Sequence, residues 1–380
     1  MAPAGLAAVA LWVLAAAPRV ELDAGIELRT ESAGNTLGAP FEQQVVEARP
    51  SVALRLEGPR TRAAATYAPW FLLANPGAET GTMHRIDATV RQALSAAWNA
   101  ELHGAAAGGV TPSWRSLLGG PLETAPTALL IRREQAQLDA RVTGLLSPRA
   151  SLSMDTRLLA GQGSAPTVRA LRVGAGLEWL ATPRDRLAGG GFGEVADASG
   201  RQSAAVAVLG GPARRLTPSA EGSVQVGVGA LRDGAPGAPT TVLRTAPTAS
   251  CAGTLRLLEN RLTTDASLRF VPALSTWDGR ASWRTELLAT MHAVVSRTWA
   301  ASVYANGARI EGPYQPLAHV GELIVSTTWA APGGRAAVTG GILTRFQRGG
   351  GVPGVVETGA LVSVSLLRIP VTEASPGGPR

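Results

Sequence analysis

Arg133-Glu134-Gln135-Ala136-Gln137-Leu138-Asp139-Ala140-Arg141-Val142-Thr143 runs directly into Gly144-Leu145-Leu146-Ser147-Pro148-Arg149. In the first part Arg133, Gln135, Gln137, Asp139, Arg141 and Thr143 alternate with Ala136, Leu138, Ala140 and Val142. Successive side chains of a strand point to opposite faces, so a period of two gives one polar and one apolar face. The second part closes the segment with a turn. Proline presets φ there, and a Ser or Thr hydroxyl can bond the local backbone. The same couplet recurs. Glu47, Arg49, Ser51, Arg55 and Glu57 alternate with Val46, Ala48, Val52, Leu54 and Leu56; Glu221, Ser223 and Gln225 alternate with Val224, Val226 and Val228; Ser363 and Ser365 alternate with Val362, Val364 and Leu366. No segment carries an apolar stripe at helical spacing.

Working outward, tight turns stand at Gly58-Pro59-Arg60, Ser95-Ala96-Ala97, Ser147-Pro148-Arg149, Thr182-Pro183-Arg184, Leu216-Thr217-Pro218, Leu258-Glu259-Asn260, Ser296-Arg297-Thr298 and Ala331-Pro332-Gly333-Gly334. They recur every ~34 to 51 residues, one hairpin pair apart. Longer Gly/Pro-rich connections alternate with them at 31–42, 75–83, 109–129, 233–240, 273–279, 312–317 and 347–354. The alternating segments run about 10 to 14 residues, whereas a soluble strand is usually ~5 to 6 and a strand of ~11, tilted, crosses a bilayer. About 18 such segments fit between residues 20 and 367, and an even number returns both termini to the tight-turn side. The fold expected is all-β, an antiparallel up-and-down barrel of 16 to 18 strands spanning a membrane.

Composition agrees by exclusion. A single Cys removes any disulfide framework or Cys-based metal cluster. All 35 basic residues are Arg, the net charge is +7 and the pI near 10.9. These charges are spread singly, without the clusters that nucleic-acid binding needs. Mean hydropathy is +0.12, yet no apolar run reaches the ~18 residues of a membrane helix. Gly5 to Ala17 forms an apolar stretch too short to span a bilayer, and Ala15 and Ala17 supply a small-residue cleavage site. Residues 1–17 are therefore expected to be an export signal, 18–370 one barrel domain and 371–380 a short tail.

Tryptophan adds a third signal. Trp98, Trp179, Trp299 and Trp329 lie close to tight turns with the parity of the apolar face, and Trp70 and Trp283 lie near the opposite ends. The six are expected to form aromatic girdles at the bilayer interfaces. With strands, turns and girdles in place, the chain resembles the outer-membrane β-barrels of Gram-negative bacteria from residue 20 to about 368. Its Leu146-to-Arg149 turn is similar to that of poorly characterised barrels of high-GC soil bacteria such as myxobacteria. The resemblance implies outer-membrane lipid and the barrel insertion machinery as partners. Many such barrels end on an aromatic residue that this machinery reads. This chain ends Ser375-Pro376-Gly377-Gly378-Pro379-Arg380, which implies a tail beyond the last strand or an internal signal.

Chemistry is sparse. His84, His103, His292 and His319 are far apart in sequence and none stands at metal-ligand spacing. Gly189-Gly190-Gly191-Phe192-Gly193 lacks the following helix of a phosphate loop and is expected to ease close strand packing. No cofactor, metal or catalytic group is expected. The polar faces carry the function instead. By parity the lumen is expected to be lined by Arg49, Arg55, Arg62, Arg85, Asp87, Arg91, Arg133, Asp139, Arg141, Asp155, Arg157, Arg256, Asp265, Arg269, Arg284, Glu286, Glu322, Arg345 and Glu357. With the remaining inward-parity charges, Arg29, Arg172, Arg244, Arg335, Glu21, Asp23, Glu27, Glu47, Glu57, Glu101, Glu178 and Glu221, the face carries 16 basic and 15 acidic groups, and this near balance lets them either pair across strands or leave a weakly selective pore. The 109–129 connection, with Trp114, Arg115 and Glu123, either narrows the lumen or stands at the surface. The leading expectation is a water-filled channel for hydrophilic solutes, or for an exported polymer such as polysaccharide. The alternatives are a non-conducting structural or binding barrel and an exported soluble β-rich surface protein.

Overall fold

The computed structural model describes residues 19–35, 42–75, 79–112, 130–163, 167–234, 242–313, 315–332, 336–349 and 352–372. The signal segment, most of the 109–129 connection and all but the first residues of the expected tail lie outside these. The described chain is one sheet of 18 antiparallel strands, β1 (Arg19–Asn35), β2 (Glu42–Glu57), β3 (Thr61–Asn75), β4 (Glu79–Ala93), β5 (Trp98–Pro112), β6 (Leu130–Ser147), β7 (Ala150–Gly163), β8 (Val168–Leu180), β9 (Asp185–Ala198), β10 (Arg201–Thr217), β11 (Ala220–Asp233), β12 (Val242–Leu257), β13 (Leu262–Leu274), β14 (Ala281–Val294), β15 (Trp299–Gly312), β16 (Gln315–Ala330), β17 (Ala336–Gly349) and β18 (Val352–Thr372). Each strand pairs with its neighbours in sequence, and β1 closes on β18 from Val20↔Thr372 to Asn35↔Val355. Closure removes the two free edges that an open sheet would present.

Alternation decides which face is which. Ile26, Leu28, Val52, Leu138, Val206, Val226, Ile342 and Val362 point out and are exposed, while Glu47, Arg133, Arg284 and Glu286 point in and are buried. The barrel is thus inverted relative to a soluble protein: apolar outside, polar within. Such an exterior avoids aggregation only in a lipid environment.

All the sequence-expected tight turns fall at one end, together with the start of β1 and the end of β18. Their chemistry is shared. Ser147 Oγ accepts the Arg149 N–H at 3.2 Å, and Thr182 Oγ1 accepts those of Arg184 and Asp185 at 3.2 and 3.0 Å. Ser95, Thr217 and Ser296 close their turns in the same way. Leu258-Glu259-Asn260 has no such hydroxyl and instead takes three positive φ values, 52°, 55° and 69°. At the other end the connections are shorter than the sequence suggests, because the strands run on for 13 to 21 residues. Ser199-Gly200, with φ of 50° and 87°, is a two-residue turn of the primed hairpin kind, and only two residues separate β17 from β18.

Candidate functional site in the barrel interior

The inner face is organised in cross-strand rows. One row reads His103, Asp139, Arg157, Arg172, Glu194 across β5 to β9. Another reads Arg62, Arg91, Glu101, Arg141, Asp155 across β3 to β7. Arg157 lies beside Arg172 and Arg62 beside Arg91, but the other charged neighbours in these rows are of opposite sign. Arg157 donates to Asp139 at 2.6 Å, Arg269 to Glu286 at 2.5 Å, Arg91 to Glu101 at 3.0 Å and Arg85 to Asp87 at 2.6 Å. Arg55 reaches Asp23 at 2.6 Å, and Arg49 bridges Glu27 and Glu47 at 3.0 and 2.5 Å. Arg186 holds both Glu178 and Glu221. Asp265 accepts from the Thr254 hydroxyl at 2.6 Å. Arg256 lies opposite Thr263, and Glu322 opposite Arg345. The side chain of Glu357 lies outside the described residues. Every pair is local, so no ring of one sign forms among the described residues.

Two of the six tryptophans depart from the interface positions expected of them. Trp98, Trp179, Trp299 and Trp329 stand on the outer face at the turn end, Trp299 directly opposite Trp329. Trp70, in contrast, shares its face with Arg62 and is only 7 % exposed, with the Arg49 guanidinium 3.8 Å above its ring. Trp283 is buried too, stacked on Phe270 at 5.3 Å. Its parity is outward, but its strand has moved inward.

That displacement is the main feature of the interior. β13 pairs with β12 from Leu262↔Leu257 to Phe270↔Ala249 and then leaves it, while staying paired with β14 to Leu274↔Ala281. The far half of the β13–β14 hairpin lies inside the wall. Its outward-parity side chains Leu274 and Trp283 pack on inner-face Ala196, Ala205 and Leu231 of β9 to β11. A Cβ placed on Gly229 of β11 would stand 3.0 Å from Pro272 Cδ, so glycine is required for this approach. The tip, Ser275 to Arg280, crosses to the opposite wall. Arg133 of β6 donates to the Thr276 carbonyl at 2.8 Å and lies 3.7 Å over the Trp277 ring. The Leu274 N–H donates to Glu194 at 3.4 Å. Gly279, at φ 67°, comes against Ala198 of β9.

Between hairpin and wall lies a cavity of about 240 Å³ lined by Arg157, Arg172, Arg269, Glu194, Glu286, Gln135, Gln137 and Phe192. Arg172 lies 3.9 Å over Phe192, whose neighbours Gly190 and Gly191 let adjacent backbones close in: a Cβ at either would stand 2.7 to 2.8 Å from a carbonyl oxygen. In the sequence 273–279 is one of the longer connections, and the inward fold falls there; 109–129 lies mostly outside the described residues. Proline spacing across two strands was the available signal, and it becomes readable only when the register is known.

The histidines stay apart. Tyr67 and His84 meet on the outer face at 2.8 Å, His103 lies 3.4 Å from Asp139, and His292 lies 3.1 Å from Ser302 with no carboxylate behind it among the described residues. No group of three metal-ligating side chains forms among the described residues. Cys251 is exposed on the outer face.

Neither a protein-family model nor a curated protein matches the sequence. Among solved structures the chain is similar to OccK9 (OpdG) of Pseudomonas aeruginosa, at 10 % identity and a TM-score of 0.48 over 92 % of this chain and 98 % of that one. It is similar to OccAB4 of Acinetobacter baumannii at 8 % identity and 0.47, with the same coverage. The outer membrane protein OpdK of Pseudomonas aeruginosa follows at 10 % identity and 0.44, covering 92 % of this chain and 98 % of that one.

Proposed function

We propose that the chain is an outer-membrane channel for small hydrophilic solutes, narrowed by its own β13–β14 hairpin. The observation that carries this reading is the inversion of the barrel. Val226, at 64 % exposure, faces out, while a continuous lattice of Arg, Asp and Glu faces in. Lipid cannot satisfy an open strand edge, so a closed barrel suits a bilayer, and 18 strands enclose enough space for an aqueous path. The charged inner wall needs water or its own partners, and a wet lumen supplies both. The outer-membrane location, the insertion machinery as a partner and an export signal at residues 1–17 belong to the same reading. So does the resemblance of the Leu146-to-Arg149 turn to those of barrels of high-GC soil bacteria. The hairpin favours small solutes over a polymer such as polysaccharide, because its tip reaches from β13 to β6 across the lumen.

The test is conductance of the purified protein in a planar bilayer, with polymers of graded size added to find the exclusion limit. Discrete current steps with a small cut-off are expected. A protein that inserts, shows heat-dependent gel mobility and passes no current in several lipids is a structural barrel instead.

A further inference from the structure

The wall is interrupted at one seam. Continuing the β12–β13 register by two residues beyond Ala249↔Phe270 would set Pro247 opposite Pro272, and neither has an N–H to give. Beyond that point Val242 to Thr248 stay paired with β11, Val271 to Leu274 stay paired with β14, and among the described residues nothing pairs with the other edge of Val242–Thr248. A second pair of prolines, Pro50 and Pro69, faces across β2 and β3 by the same register argument. There the ladder skips from Ala48↔Phe71 to Val52↔Tyr67 and resumes, so the wall is joined on both sides. At β12–β13 the interruption continues to the strand end.

The banks of this seam are apolar. Phe270, Leu274 and Trp283 on the hairpin meet Leu231 and Ala246 on the inner wall. On the outer face of the same edge Leu243 is 68 % exposed, and Pro247, four residues along the strand, is exposed as well. Buried apolar packing therefore backs the edge on the lumen side and exposed apolar side chains flank it outside, with no backbone ladder between them. An unpaired strand edge is not tolerated against hydrocarbon alone, so this edge faces water, headgroups or a passing molecule. We propose that the β12–β13 seam is a lateral portal, through which small apolar and amphipathic solutes pass between the lumen and the surrounding leaflet. The inference rests on the bilayer-spanning reading of the barrel and adds to it a second route and a second solute class.

Two variants close the seam. Pro247→Val with Pro272→Val restores N–H donors at the facing positions and lets the ladder run to the strand ends. Thr245→Cys with Leu274→Cys, in a Cys251→Ser background, places cysteines that the continued register sets opposite, so oxidation closes the seam reversibly. Folding is checked by heat-dependent gel mobility, and the cysteine pair carries the test if the valine pair does not fold. Cells bearing each barrel are given N-phenyl-1-naphthylamine, an apolar fluorescent probe, and the purified proteins are measured in planar bilayers. Wild type is expected to take up the probe faster than cells without the barrel. The closed variants should fall to that background while their ion current rises, because the hairpin has left the lumen; reductant restores uptake to the cysteine pair. Wild-type uptake no faster than the background, or uptake that rises with current in the closed variants, overturns the portal. A wild type that takes up the probe through a closable seam but conducts no ions supports the portal and overturns the channel.

Discussion

A single substitution senses which face it occupies. Val226 and Val362 are exposed on the outer face near the middle of their strands, and their chain neighbours Gln225 and Ser363 point inward. Val226→Arg and Val362→Arg are expected to destabilise the folded barrel by about 2 to 4 kcal/mol near the bilayer midplane. Gln225→Arg and Ser363→Arg should be tolerated, because the lumen can solvate a guanidinium. Denaturant titration of the barrel refolded in vesicles reads the difference, and equal costs on both faces would contradict the topology. Face assignment was legible from sequence because it needs only a period of two. Pairing was less so. Parity puts Arg133, Asp139 and Arg141 on one face of β6, but Asp139 takes Arg157 from the next strand, while Arg133 turns to the hairpin tip. Trp70 shows the same limit: closeness to a strand end suggested the interface, and the parity it shares with Arg62 decided otherwise.

Among the elements, the β13–β14 hairpin is set apart by what holds it. Its base is paired on both sides and its far half on one side only, and side chains hold it to the inner wall: Leu274 and Trp283 by packing, Arg133 and Glu194 by hydrogen bonds. An element held by side chains where the wall is held by a ladder opens at lower cost than the wall. Arg133→Ala removes the Thr276 hydrogen bond and the stacking on Trp277, and should make single-channel current switch more often between levels. Arg62→Ala, on an exposed turn-end side chain, should leave the record unchanged. Gly229→Leu has a different action: it pushes directly on Pro272 and should raise the mean current by forcing the hairpin from the inner wall. If neither Arg133→Ala nor Gly229→Leu alters the current, the hairpin does not limit conduction. Strands and turns were readable because each is a local pattern. The hairpin was not, since it leaves the wall where Pro247 and Pro272 would face each other only in a continued register, 25 residues apart in the chain by their numbers.

For the whole molecule, orientation and selectivity follow from the barrel's two asymmetries. The tight turns share an end with the start of β1 and the end of β18, and the proposed orientation puts this end in the periplasm. A protease site inserted at Pro148 or Pro183 should be protected in intact cells, and one inserted within 113–129 should be cut; the opposite pattern would invert the orientation.

Selectivity depends on where fixed charge sits relative to the hairpin. A charge acts over about a Debye length, ~8 Å at physiological salt, so paired charges in a wide lumen cancel before an ion senses them. The pairs of β1 and β2, Arg49 with Glu27 and Glu47, are of this kind. Beside the hairpin the same balance holds, but the path is narrow: Arg157, Arg172 and Arg269 line the cavity together with Glu194 and Glu286. Wild type should therefore be weakly selective, and local imbalance there should count for more than elsewhere. Arg157→Ser with Arg172→Ser should shift the reversal potential in a salt gradient toward cations. Glu194→Gln with Glu286→Gln should shift it toward anions, and Glu27→Gln with Arg49→Gln should move it little. High salt should shrink all three shifts together. Equal shifts from the β1–β2 pair and from the cavity groups would place the narrowest part of the path away from the hairpin, and with it the element that chooses the ion.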